Sequence, residues 1–297
     1  MRRSLGLLVS LTVALPGCLP AQDADRVRVG DVELRYELAG QGPALVLIHG
    51  WTHDHRVWDL QAPDLQRRFR VLRYDRRGWG ASGGRPDVSM DPLDLERLMD
   101  ALGIETAALV GHSQGTAAAL RFTLAHPERV EALVLYGAGP PEGFGLAPRP
   151  EDMLRRRMMR EIAREHGLDS LGAYLFSSPL ARGFEEGEPG TRLARELWED
   201  YTGDDLLHPR PPSGATERPT MDRLAEVEAP TLVLTGEWEM PYVQVVAEAL
   251  AYGIPGAERA VVRGGGHAVH LQEPERFTAE VVRFLRGAGV GSRDGSR

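Results

Sequence analysis

The chain has 297 residues, 42% of them hydrophobic, with 35 basic against 43 acidic side chains and a formal net charge of −8. That length and apolar content suit one large core rather than several small modules, and the acidic balance argues against a nucleic-acid partner. No lysine occurs anywhere, which excludes a Schiff-base lysine mechanism and a lysine-dependent phosphate loop.

At the amino terminus, Arg2 and Arg3 precede an apolar stretch from Leu5 to Leu15, too short to span a bilayer as a helix but suited to a signal-peptide core. Residues 1–17 are therefore expected to direct export, with 18–26 as a linker. Leu15-Pro16-Gly17-Cys18 resembles a bacterial lipobox, in which Cys18 would carry a lipid and anchor the mature protein to a membrane. The alternatives are a soluble periplasmic or secreted product, or twin-arginine export. Cys18 is the only cysteine, so no internal disulfide can form.

From residue 27 on, short apolar runs alternate with helical patterns. This predicts an α/β fold with a mostly parallel sheet and helices on both faces. Val27–Val29 and Val32–Leu38 read as a hairpin around Gly30-Asp31. Ala44–Ile48 is a continuous apolar strand running into His49-Gly50-Trp51, where the glycine lets the chain fold back over the sheet edge. His53 and His55 straddle Asp54, a spacing that matches no metal-ligand signature, so no metal is expected. A helix is predicted over Val57–Arg68, a strand over Val71–Tyr74, and a helix over Pro92–Leu102; Asp75 is read as fixing the turn at Gly78.

The apolar run Thr106–Val110 then leads into Gly111-His112-Ser113-Gln114-Gly115, and Thr116–Leu120 leads out as a helix. A serine on a tight strand-to-helix turn exposes its hydroxyl at the carboxyl edge of a sheet, which makes Ser113 a candidate nucleophile. The backbone amides of Trp51 and Gln114 can point at one spot above it, as an oxyanion hole requires. Ala132–Tyr136 completes the first half of the core, residues 27–138.

Residues 139–220 change pattern and are expected to form a helical cap. Leu154, Met158 and Ile162 are spaced as one apolar face of a helix over Glu151–His166. Leu171, Tyr174 and Leu175 form a second face, and Leu193, Leu197, Trp198 and Tyr201 a third, before the proline-rich His208–Pro212. These stripes read chiefly as core packing, with some of them roofing the site. Arg149, Arg155, Arg156, Arg157 and Arg160 read as a solvated face balanced by Glu151, Asp152 and Glu161; the competing reading is attraction for an acidic substrate or anionic head groups.

The second half of the core, residues 221–288, carries a strand at Thr231–Thr235 followed by Gly236-Glu237-Trp238-Glu239. A further strand at Arg259–Val262 is followed by Gly264-Gly265-Gly266-His267 and a helix opening at Pro274; residues 289–297 read as a tail. The glycine-rich approach at the same sheet edge makes His267 the candidate general base. His270 is its rival, while His49 and His112 read as packing residues beside the turns.

These motifs, in this order, resemble the α/β-hydrolase fold family, of the esterase and enol-lactone hydrolase type, over about residues 27–287. Tyr74–Ser82, Ala125–Val130 and His267–Phe277 are similar to further family segments. The family order of serine, acid, histidine places the acid after the strand at Thr231, where the family usually reads Gly-x-x-Asp. Glu239 stands at the aspartate position, with Glu237 as the competing candidate. The resemblance implies a serine hydrolase acting on a carboxylic ester or lactone without cofactor or metal, through Ser113, Glu239 and His267. A carbon–carbon bond hydrolase or cofactor-free peroxidase would use the same three residues, and a non-catalytic lipoprotein that binds an acyl ligand is the alternative of a different class. A serine rather than an aspartate at position 113 argues against haloalkane dehalogenase and epoxide hydrolase chemistry.

Overall fold

A computed structural model describes residues 25–145, 150–209 and 218–291. The expected signal segment and Cys18 lie outside the described residues, as do Arg149, most of the proline-rich loop and the end of the tail. Among the described residues no helix is long and apolar enough to cross a membrane.

Eight strands form one sheet: β1 (Asp25–Val29), β2 (Val32–Ala39), β3 (Ala44–Ile48), β4 (Arg70–Tyr74), β5 (Ala107–His112), β6 (Val130–Tyr136), β7 (Thr231–Gly236) and β8 (Glu258–Val262). Their spatial order is β1-β2-β4-β3-β5-β6-β7-β8. The β1–β2 and β2–β4 pairs are antiparallel and every later pair is parallel. The central strands are largely apolar because both faces are covered. Val46, Ile48 and Leu109 point into one core with Leu95, Leu98, Phe122 and Val246, while Leu45, Leu47, Ala108 and Val110 alternate into the other with Trp58, Leu65, Phe277 and Phe284.

Helices supply those covers: α1 (Ala62–Leu65), α2 (Asp91–Ala101), α3 (Gln114–Ala125), α7 (Pro241–Gly253), α8 (Val269–Gln272) and α9 (Pro274–Gly287). Between β6 and β7 stand α4 (Pro150–Phe176), α5 (Pro189–Glu199) and α6 (Asp204–Leu207), with a small core of their own around Met159, Ala163, Leu171 and Leu206. Gly167, at φ 81° and ψ 171°, breaks α4 where the sequence ends the first cap helix.

Two expectations are corrected. The helix predicted over Val57–Arg68 is instead a 3-10 turn at His55–Trp58, capped by the Asp54 side chain, and the single turn α1. Pro63 lacks the N–H that a continuous helix would need there. In α4 the buried face carries Met159 and Ala163, and Leu154 is 66% exposed, so the apolar stripe lies one residue out of the expected phase.

Register explains why the candidate residues converge. Ile48 pairs with Gly111, and His112 with Tyr136, so the segments after β3, β5 and β6 leave the sheet at one level. Gly236 pairs with Val262, and the two loops that follow are laced by Glu237 N–H to Val262 O and Trp238 N–H to Gly265 O, both 2.9 Å.

Candidate active site

Ser113 sits at φ 50° and ψ −115°, left-handed backbone that a non-glycine residue adopts only under constraint, at a cost of about 1–3 kcal/mol. Its amide is tied to Tyr136 O at 2.8 Å, and its carbonyl accepts from Thr116 N–H at 3.0 Å. The flanking glycines allow the turn. A Cβ on Gly111 would lie 2.6 Å from Gly115 O, and one on Gly115 only 2.4 Å from Ile48 O. Gly115→Ala is therefore expected to lower stability by about 1–3 kcal/mol, read as a reduced urea midpoint with an unchanged slope.

Above the turn three side chains stand in line. Ser113 Oγ is 3.0 Å from His267 Nε2, and His267 Nδ1 is 3.0 Å from both Oε1 and Oε2 of Glu239. Glu239 is buried, and its Oε1 also accepts from Met240 N–H at 2.9 Å. Nδ1 facing a carboxylate must carry the proton, which leaves Nε2 bare to accept from the hydroxyl. Burial pushes the His267 pKa down, but the charge and hydrogen bond of Glu239 outweigh it, and the net direction is upward. Such an arrangement can withdraw a proton from a hydroxyl as it attacks a carbonyl.

The competing candidates fall elsewhere. Glu237 is exposed and accepts from Gly264 N–H at 3.0 Å, a turn contact. His270 is fully buried, 3.3 Å from Tyr136 Oη. His53 and His55 part company: His53 stacks on His112, whereas His55 Nδ1 lies 2.5 Å from Asp75 Oδ1. Asp54, His55 and Asp75 do come within ligating reach of one another. Their capacity is taken up internally, however, with Arg56 on Asp54 at 2.6 Å and Arg35 against His55 Nε2 at 2.5 Å. A guanidinium at that spot opposes a bound cation. Asp75 Oδ2 accepts from Ala81 N–H at 2.8 Å, so it does fix the turn after β4.

Sequence reasoning missed what holds His267. Its carbonyl accepts from Tyr136 Oη at 2.5 Å and from His112 Nε2 at 3.1 Å. Burial drives the His112 pKa well below the usual histidine range, so the ring is neutral and donates from Nε2. Tyr136 reads as a strand residue and His112 as packing; neither identity signals a clamp on a residue more than a hundred positions away. Tyr136→Phe removes one of the two donors. It should cost about 1 kcal/mol of stability and lower kcat about tenfold with KM unchanged, short of the ~10²-fold expected for a full 1 Å misplacement; steady-state kinetics on one ester separate the two constants.

Trp51 Nε1 donates to Asp205 Oδ2 at 2.7 Å, and Tyr201 Oη donates to Oδ1 of the same carboxylate at 2.6 Å. Asp205 thus latches α6 of the cap onto the loop after β3. Gln114 opens α3, where a first-turn amide has no intrahelical acceptor, and its side-chain oxygen accepts from buried Arg76.

Ser113 and His267 open onto a cavity of about 680 Å³. Its walls are largely apolar, with Leu175, Phe176 and Trp198 from the cap and Tyr242 and Val243 from α7. Some of the expected stripes therefore roof the site while others, such as Leu171, pack the cap core. Arg155, Arg156, Arg157 and Arg160 line the cavity from α4.

Comparison with known proteins agrees with this fold. A family model described as the alpha/beta hydrolase fold matches residues 43–274. A 2-hydroxy-6-oxononadienedioate/2-hydroxy-6-oxononatrienedioate hydrolase of Paraburkholderia phymatum is 31% identical over 278 residues, covering 86% of this chain and 92% of that protein. Among solved structures, a thermophilic esterase from Thermogutta terrifontis is 26% identical with a TM-score of 0.72, covering 89% of this chain and 99% of that one. The enol-lactonase from Burkholderia xenovorans is 25% identical with a TM-score of 0.72, covering 88% and 100%.

Proposed function

Because the chain belongs to the alpha/beta hydrolase fold family, we propose that it is a serine hydrolase cleaving a carboxylic ester or lactone through an acyl-enzyme on Ser113. The observation that carries this reading is the unbroken line from Ser113 Oγ through His267 to the buried Glu239, each step 3.0 Å. His267 takes the hydroxyl proton as Oγ attacks the carbonyl, the Trp51 and Gln114 amides hold the oxyanion, and His267 then protonates the leaving alcohol. Water repeats the sequence and releases the acid. No step calls on a cofactor or a metal.

The esterase and enol-lactonase likenesses support an oxygen ester. A second reading, hydrolysis of a carbon–carbon bond, is favoured by the 31% identity to the oxononadienedioate hydrolase and uses the same three side chains. The test is rapid mixing with a para-nitrophenyl ester. A burst of nitrophenol stoichiometric with enzyme, followed by slower turnover, is the acyl-enzyme signature expected; an enzyme inert to aryl esters and lactones but active on a vinylogous diketone would favour the second. Export with anchoring through lipidated Cys18 belongs to the same proposal, and the mass of the mature amino terminus decides between an anchored and a freely secreted product.

A further inference from the structure

The two residues whose amides would form the oxyanion hole are held in different ways. Gln114 is anchored from inside the core: its side-chain oxygen accepts from Arg76, which is fully buried and paired with buried Asp91 at 3.2 Å. Trp51 is anchored from the cap. Its ring packs with the cap core around Met159, Ala163, Leu171 and Leu206, and its Nε1 donates to Asp205 Oδ2 on α6 at 2.7 Å.

The backbone beside Trp51 needs such a hold. Thr52 has φ 63°, and among the described residues only Thr52 and Ser113 take a positive φ without being glycine. A β-branched residue is strained there and stays so only where its surroundings fix it. The start of the loop is fixed by His49, whose Nε2 accepts from Arg76 N–H at 3.0 Å and whose Nδ1 donates to Gly50 O at 2.8 Å. Asp205 takes the next residue. Both of its oxygens are occupied by neutral donors, Trp51 and Tyr201, and burial pushes its pKa up. A partly buried carboxylate held in this way is costly to desolvate, so the contact is not an incidental surface pair.

We infer that Asp205 is a positioning residue for the oxyanion hole: by holding the Trp51 indole it fixes the loop whose N–H faces the oxyanion, so that the cap completes the site as well as roofing it. The inference rests on the serine-hydrolase reading and adds a residue to it. Asparagine can keep the contact, because its oxygen accepts from the indole while its NH2 donates to the Tyr201 hydroxyl. Alanine cannot.

The test measures kcat and KM for para-nitrophenyl hexanoate, and the inhibition constant of 1,1,1-trifluorooctan-2-one. When Ser113 Oγ adds to that ketone, the carbonyl electron pair moves onto oxygen and occupies the oxyanion hole. Asp205→Ala should lower kcat by about 10- to 100-fold and weaken the ketone in parallel, with KM within about threefold. Asp205→Asn should retain most of the wild-type rate. Trp51→Phe, which keeps a ring and deletes the N–H, should repeat the loss, and the double variant Asp205→Ala/Trp51→Phe should be little worse than either. Asp204→Asn, on the same helix with its carboxylate against exposed His208 at 3.1 Å, should stay within about twofold of wild type. If thermal unfolding shows that Asp205→Ala does not fold, the contrast between Trp51→Phe and Asp205→Asn carries the test. Losses that multiply in the double variant, a rise in KM with kcat intact, or a Trp51→Phe enzyme with unchanged turnover and ketone affinity overturns the inference, and wild-type hydrolysis then leaves the serine-hydrolase reading standing. If the wild type neither hydrolyses the ester nor binds the ketone, both fail together.

Discussion

Ser113→Ala and His267→Ala are each expected to lower kcat by about 10⁶-fold, with the double variant little worse than either single one, because the two groups act as a unit. The non-additivity is the informative part. Oγ bonds to the carbonyl only if Nε2, 3.0 Å away, removes its proton in the same step, so deleting either partner removes the whole effect. KM should hardly move, since the walls that hold the substrate are untouched. Steady-state kinetics on an aryl ester would check this; two independent losses that multiply would mean that the side chains do not cooperate.

Glu239→Gln is expected to lower kcat by about 10⁴-fold and to displace the acid limb of the rate profile. The sign follows from what Glu239 does to His267. The imidazole must be neutral to act as a base, and the carboxylate raises its pKa against the opposing pull of burial. In the wild type, activity should therefore fall on acidification at a pH above the ordinary histidine value of about 6.5. Without the negative charge, burial acts alone and the limb should move to lower pH. Glu237→Gln, on the exposed turn, should leave both rate and profile unchanged. A limb that stays in place in Glu239→Gln would mean that the carboxylate does not set the imidazole.

The sheet, Ser113 and His267 were legible in the sequence for a common reason, whereas Glu239 was separated from Glu237 only by the family resemblance. Strands buried on both faces are continuous apolar runs, and the turns that follow them are punctuated by glycines that the geometry requires, as at Gly111 and Gly115. Each of those signals is local. The phase of the first cap helix was not legible, because Leu154, Met158 and Ile162 and the true Met159–Ala163 face have the same spacing. Which of them turns inward is set by packing against Leu171, beyond the break at Gly167, and Leu206 on α6. Nor was it legible that the arginine run of that helix, which reads as solvated, contributes to the cavity wall. The Tyr136 and His112 grip on His267 and the Asp205 latch on Trp51 are also long-range pairings, invisible until the fold brings them together.

The acyl-transfer mechanism is tested most directly by labelling the protein with a serine-reactive fluorophosphonate and locating the adduct by peptide mass. Attack by an activated Ser113 predicts one adduct per chain, on the peptide that carries Gly111–Gly115, absent in Ser113→Ala and strongly slowed in His267→Ala. An unlabelled wild type that still hydrolyses esters, or a label that persists in Ser113→Ala, would contradict it.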